Sequence, residues 1–199
     1  MLLAIDTSTG TSVSVVDHDM SSGELRCLAE TGTDDTMRHA EVIGGFIRDA
    51  LAEAGEGPRT HAGRDAGQSC RPHTGLGIGR PFVPVVSHDA VAWAWYADGG
   101  EGALQVVTDA RRREVAVSDY DGLDADRLPV RRIGPGLAPH DEVPPARGIR
   151  IDAQLVPARA VGMLAELGFA AGRLPLTDDA PIYLRAPDVT LAERKRVLQ

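Results

Sequence analysis

The chain begins Met1-Leu2-Leu3-Ala4-Ile5-Asp6, and Thr7-Ser8-Thr9-Gly10-Thr11 follows. No other stretch constrains the fold as much. An apolar run ends on a carboxylate, a polar turn follows, and a second apolar run, Val13 to Val16, heads back. The pattern predicts a β-hairpin whose turn carries one acid and several free backbone N–H groups. Such a turn suits phosphate or a metal-bound water, because glycine and turn amides let an anion approach the backbone. An ordinary tight turn uses the same residues, since Asp, Ser, Thr and Gly all bond locally to the backbone. What separates the two readings is the order of the elements that come after.

Three strands are expected first, over Leu2–Ile5, Ser12–Asp17 and Leu25–Glu30, with Met20-Ser21-Ser22-Gly23 as a hairpin loop. A helix over Met37–Ala54 follows, capped by Asp34, Asp35 or Thr36. Its apolar positions Ala40, Ile43, Ile47, Ala50, Leu51 and Ala54 have helical spacing, and Gly55 supplies the stop. Gly44-Gly45 in mid-helix costs up to ~1 kcal/mol per residue relative to alanine. Close approach of another backbone would account for the pair; so would a tolerated weak spot. Gly57–Arg80 holds six glycines and two prolines, and its only large aliphatic residues are Leu76 and Ile78. No period is visible there. The segment lacks the apolar content to offset ~1–2 kcal/mol of ordering entropy per residue, and is expected to be disordered or remodelled.

Phe82–Val86 reads as a short buried strand, and Ser87, His88 or Asp89 as the cap of a helix through Ala97. Gly99-Gly100 marks the expected boundary between an N-terminal lobe, residues 1–98, and a smaller C-terminal lobe, residues 99–199. The second lobe opens with a hairpin, Leu104–Thr108 and Glu114–Tyr120, around the turn Asp109–Arg113. Asp121–Pro145 reads as loop with one edge strand near Val130–Ile133. A short strand over Gly148–Asp152 precedes a helix from Pro157 to Leu167 ended by Gly168, and Pro181–Arg185 is a last extended segment.

Composition narrows the function. The 199 residues carry a net charge of −8, which argues against a phosphate-backbone binder acting alone. Aromatic residues are only 4%, so Val, Leu, Ile and Ala must build the core. Cys27 and Cys70 form no CxxC pair, and the first residues are too short for a signal h-region. Both point to a reducing, cytoplasmic setting. No apolar run reaches the ~18 residues of a membrane span.

Four segments then fall in one order: Leu3-Ala4-Ile5-Asp6-Thr7-Ser8, His39-Ala40-Glu41, Asp109-Ala110-Arg111-Arg112-Arg113-Glu114-Val115 and Tyr183-Leu184-Arg185. In this order they resemble the TsaB (YeaZ) family of the actin-like superfamily, over roughly Met1–Gly55 and Val83–Val189. The resemblance implies an α/β, actin-like (ribonuclease H-like) fold: a mixed sheet flanked by helices, in two lobes. It implies a dimerization subunit that does no chemistry itself. Family members belong to the complex that forms threonylcarbamoyladenosine beside the anticodon of tRNAs reading codons that start with A. The catalytic paralogue TsaD and the ATPase TsaE are the implied partners, with tRNA reached through the complex and a homodimer as a further pairing. No cofactor is expected on this chain alone; ATP and Mg²⁺ belong to the assembled complex.

The departure from the family pattern lies in one place. Of the family's Gly-rich loop only Thr74-Gly75-Leu76 remains, with Gly77 where arginine is expected. The strand before the loop is rewritten, and the helix after it, one that family members use to pair, is missing. A local deletion or frame change would leave such a segment. The alternatives are therefore a stand-alone actin-like ATPase or kinase relative, and a damaged, non-functional copy.

For single residues, Asp6, Thr7, Ser8, Thr9, Gly10 and Asp109 form a vestigial phosphate site, since no second phosphate loop is evident. His39 and Glu41 stand at i, i+2 rather than the i, i+4 of a helical metal pair. With Gly44, Gly45 and Arg48 they read as a partner interface. Arg111, Glu114, Tyr183, Leu184 and Arg185 are remnants of family motifs, with Thr74, Gly75 and Leu76. Arg111-Arg112-Arg113 reads as a solvated turn ahead of a contact to tRNA phosphate. No metal or nucleophile constellation supports the family's older glycoprotease-like label.

Overall fold

The computed structural model describes residues 1–19, 21–55 and 83–173. Two antiparallel-rich sheets and three helices make up this part. The first sheet has the order β1-β2-β3, with β1 over Leu2–Asp6, β2 over Thr11–Asp19 and β3 over Glu24–Thr33. Both pairings are antiparallel, as the two hairpins predict; Asp6 stands opposite Ser12, and a bulge lies between Val15 and Val16. Helix α1 spans His39–Glu53, two residues shorter at the start than expected.

Alternation along β1 and β2 gives this sheet two apolar faces. Ile5, Val13 and Val15 face α1, where Ile43, Phe46, Ile47 and Leu51 pack against them. Leu2, Ala4 and Val16 face the other way, toward the C-terminal helix α3 over Ala158–Ala170. Gly162 lets α3 come down on that face, because a Cβ there would lie 2.7 Å from Val16 Cγ2. Ser12 fastens the approach by donating to the Val156 carbonyl at 2.7 Å.

The second sheet has the order β6-β5-β4-β7. Its strands are β4 over Leu104–Asp109, β5 over Glu114–Leu123, β6 over Pro129–Pro139 and β7 over Ile149–Asp152. The β4–β7 pair is parallel and the others antiparallel, so the sheet is mixed. Helix α2, Ser87–Ala97, covers it, with Val91, Trp93 and Tyr96 packed in one cluster with Leu104, Val106 and Tyr120. The helices thus cross: α3 follows the second sheet in sequence but packs on the first, and α2 precedes the second sheet and packs on it.

Five local expectations are corrected. Asp34, Asp35 and Thr36 do not cap α1; Arg38 holds the N-cap position without a side-chain bond, and Asp35 instead accepts from Met37 N at 2.9 Å within the preceding turn. Residues 83–86 form no ladder. Pro84 offers no N–H, and Val83 and Val85 serve as packing beside Leu2, Val16 and Ala165. Val86, not Ser87, His88 or Asp89, is the N-cap of α2. The edge strand β6 runs to Pro139, far past Ile133, because prolines are tolerated at a sheet edge. Helix α3 continues through a buried Gly168 to Ala170, and Gly172, whose φ of +66° only glycine adopts freely, follows its C-cap. Phe82, the segment 57–80 and the extended segment at 181–185 lie outside the described residues.

Candidate functional site

The site grows from the first hairpin. Asp6 ends β1 with 4% of its surface exposed. Its Oδ1 accepts from the Ser8 amide at 2.9 Å and the Ser8 hydroxyl at 2.7 Å, so the turn closes on its own acid. Its Oδ2 accepts from Ser87 Oγ at 2.5 Å, across 81 residues of sequence. Burial raises the Asp6 pKa; the bonds from Ser87 and Ser8 and the nearby His39 oppose that rise without cancelling it. Thr9 and Gly10 are buried within the turn, and among the described residues the Thr9 hydroxyl has no hydrogen-bond partner. Gly10 is there for space, because a Cβ would sit 2.2 Å from the Thr33 carbonyl and 2.7 Å from Leu155. Thr11 and His39 meet side chain to side chain at 2.6 Å, tying α1 to the start of β2.

Ser87 is the first of three consecutive residues that reach across the molecule from the first turn of α2. His88 lies with Nδ1 2.8 Å from Ser118 Oγ and Nε2 2.8 Å from Thr108 Oγ1. A hydroxyl can donate or accept, so a neutral imidazole is satisfied at both nitrogens in either tautomer. Burial, with Arg131 nearby, lowers its pKa to about 4 and keeps it neutral. Asp89 accepts from the Tyr120 hydroxyl at 2.7 Å and pairs with Arg131 at 3.4 Å. Burial raises the Asp89 pKa, and burial together with the Asp89 charge raises that of Tyr120. One helical turn therefore bonds to β1 of the first sheet and to β4, β5 and β6 of the second. The sequence offered these three residues as caps; only the tertiary packing turns them into bridges.

The other predicted residues fall elsewhere. Asp109 is exposed at the end of β4, and its Oδ1 accepts from the Arg111 amide at 3.0 Å, a local turn bond. Arg111, Arg112 and Arg113 all have positive φ, 63°, 56° and 63°. Each such non-glycine residue costs ~1–2 kcal/mol of backbone strain. The Arg111 guanidinium reaches the Thr36 carbonyl at 3.4 Å, so this turn touches the loop that leads into α1. The Glu114 amide and carbonyl close the same turn on Arg111 and Ala110. Thr7 lies in the first turn and has a partner of its own.

On α1, Glu41 is exposed and pairs with Arg38 at 3.0 Å, and Arg48 stands 3.9 Å from Asp49. A Cβ added at Gly44 would meet nothing within 4 Å, and one at Gly45 only the Arg48 guanidinium, at 3.7 Å. No backbone of the described residues makes the close approach that would account for the pair. Thr74, Gly75, Leu76, Tyr183, Leu184 and Arg185 lie outside the described residues. Among the described residues no helix is long and apolar enough to cross a membrane.

An acid-bearing hairpin in one sheet, a second, mixed sheet and a helix whose first turn bonds to both make up an α/β fold. Neither a family model nor a curated protein matches the sequence. Solved structures do. An uncharacterized protein with similarity to peptidase YeaZ, from Pseudomonas aeruginosa, superposes with a TM-score of 0.70 at 22% identity, covering 92% of this chain and 99% of that one. YeaZ from Pseudomonas aeruginosa gives a TM-score of 0.65 at 19% identity, with 87% and 93% covered. The chain has the YeaZ fold.

Proposed function

We propose that this chain is a member of the TsaB (YeaZ) family and serves as a non-catalytic scaffold. In this reading it holds the catalytic paralogue TsaD in the complex, joined by the ATPase TsaE, that forms threonylcarbamoyladenosine beside the anticodon of tRNAs reading codons that start with A. The observation that carries the reading is the state of Asp6. A carboxylate that orders a metal-bound water needs a lone pair facing solvent. Asp6 is buried, and both of its oxygens are taken by hydroxyls and an amide of its own chain. The YeaZ fold supports the same reading. The net charge of −8 leaves contacts to tRNA phosphate to the partners. ATP and Mg²⁺ then belong to the complex, and the setting is the cytoplasm.

The surface offered to TsaD is α1, around His39, Glu41, Gly44, Gly45 and Arg48. The open space above Gly44 and Gly45 lets a partner helix approach closely enough to gain dispersion contacts along its length. A homodimer is a further pairing. Titration of the purified chain with TsaD, alongside a melting curve, tests this. Gly45→Leu is expected to weaken binding without lowering the melting temperature. Unchanged affinity in a variant that melts no lower rules out α1. No complex with the unaltered chain, together with ATP hydrolysis above blank, overturns the scaffold reading in favour of a stand-alone ATPase.

A further inference from the structure

The far end of β2, away from the Asp6 turn, carries a feature that the scaffold role does not use. A cavity of about 590 Å³ opens there, lined by residues that include Asp17, His18, Arg26, Glu166 and Phe169. The His18 side chain is 7% exposed, and its Nδ1 is buried with no hydrogen-bond partner among the described residues. A buried polar atom left without a partner is costly to the fold. Glu166, on α3, brings Oε2 to 3.6 Å from that nitrogen, too far for a hydrogen bond. The carboxylate forms no hydrogen bond among the described residues. The other charges at the wall have partners: Asp17 pairs with the Met1 amine at 3.2 Å, and Arg26 with Glu24 at 2.5 Å. Asp19 accepts from the Ser21 amide and hydroxyl at 2.9 and 2.6 Å.

From this juxtaposition we infer a divalent transition-metal site, of the kind zinc takes, with His18 Nδ1 and Glu166 Oε2 as its two protein ligands. An imidazole nitrogen and a carboxylate oxygen each sit about 2.0–2.2 Å from zinc. The 3.6 Å between them is what one such ion spans at an open, near-tetrahedral angle. Among the described residues no third His, Cys, Asp or Glu completes a protein cage. Solvent from the cavity fills the remaining positions, and the ion fastens α3 to the end of β2. The site takes a borderline metal rather than Mg²⁺, which favours all-oxygen shells.

Untagged full-length protein, stripped with chelator, is titrated with Zn²⁺ by calorimetry and with Co²⁺ by visible absorption. One ion per chain is expected. His18→Ala should weaken it by more than the ~10–100-fold that an outer-shell partner alone is worth. Glu166→Gln, which keeps the shape of the side chain, should weaken it too and leave the metal-free melting curve unchanged. If His18→Ala fails to fold, Glu166→Gln decides. No binding of either ion overturns the inference. Binding indifferent to both variants, or a cobalt spectrum with thiolate charge-transfer bands, also overturns it, because the ion would then sit on other residues.

Discussion

Two hairpins in this molecule share a plan and come to different ends. In each, an apolar strand runs into an aspartate and a tight turn: Asp6 at the end of β1, Asp109 at the end of β4. Asp6 is buried, and a residue 81 positions away closes over it. Asp109 is exposed and bonds to the amide two residues on. Asp6 is bonded both within its own turn and across the fold, and Asp109 is bonded within its own turn. An acid at a turn becomes part of a site only when another element brings a second polar group to it. Here that element is the first turn of α2.

The comparison breaks most sharply at His88. His88→Ala removes a buried ring and strands the hydroxyls of Thr108 and Ser118. It should cost about 3–4 kcal/mol in urea unfolding. The same residue sets a pH dependence. Its folded pKa is about 4 against 6.5 for a free histidine, so the unfolded chain takes the proton first. Stability from this group is full above about pH 6.5 and is lost as pH falls toward 4, by up to ~3 kcal/mol. Asp6 and Asp89 act in the opposite sense. Their pKa values are raised, so their ionisation disfavours the folded state as pH climbs past the ordinary carboxylate range. The His88 part is therefore read as a difference: the stability gap between the natural chain and His88→Gln should shrink on acidification. A gap that is constant from pH 7 to 4 would contradict it.

Glycines sharpen the same contrast at smaller scale. Gly10→Ala drives a Cβ into the Thr33 carbonyl and should cost about 1–3 kcal/mol. Gly44→Ala meets open space in mid-helix and should add up to ~1 kcal/mol of stability. Thermal melts of the pair should move in opposite directions. Asp109→Ala loses only an exposed turn bond, and its effect should stay within about 0.5 kcal/mol.

Sequence reasoning reached the hairpins because period-2 alternation, turn residues and the Asp-Thr-Ser run are local signals. The same holds for α1, whose apolar spacing names the face that meets Val13 and Val15. It placed β6 only near Val130–Ile133 and took the rest of the strand, with its prolines and glycines, for loop. Nothing local says that such a strand will find an edge to pair with. The greater miss is Ser87-His88-Asp89. Three polar residues ahead of an apolar run are the signature of a helix cap, and the side chains would bond to their own backbone if nothing else were in reach. Here β1, β4, β5 and β6 each offer a partner, and those longer contacts win. Asp6 was legible as a special residue, but Ser87 was not, because the bond between them exists only once the two sheets have been assembled.

The central claim is that Asp6 is a structural acid, held by Ser87, and not a ligand for a metal-bound water. A double-mutant cycle on stability tests it most directly, with Asp6→Asn, Ser87→Ala and the pair measured by urea unfolding at pH 7. The bond is short and partly buried, so the two changes should couple by about 1–3 kcal/mol. Additivity within ~0.5 kcal/mol would mean that the two side chains act independently, and that Asp6 is free for another partner.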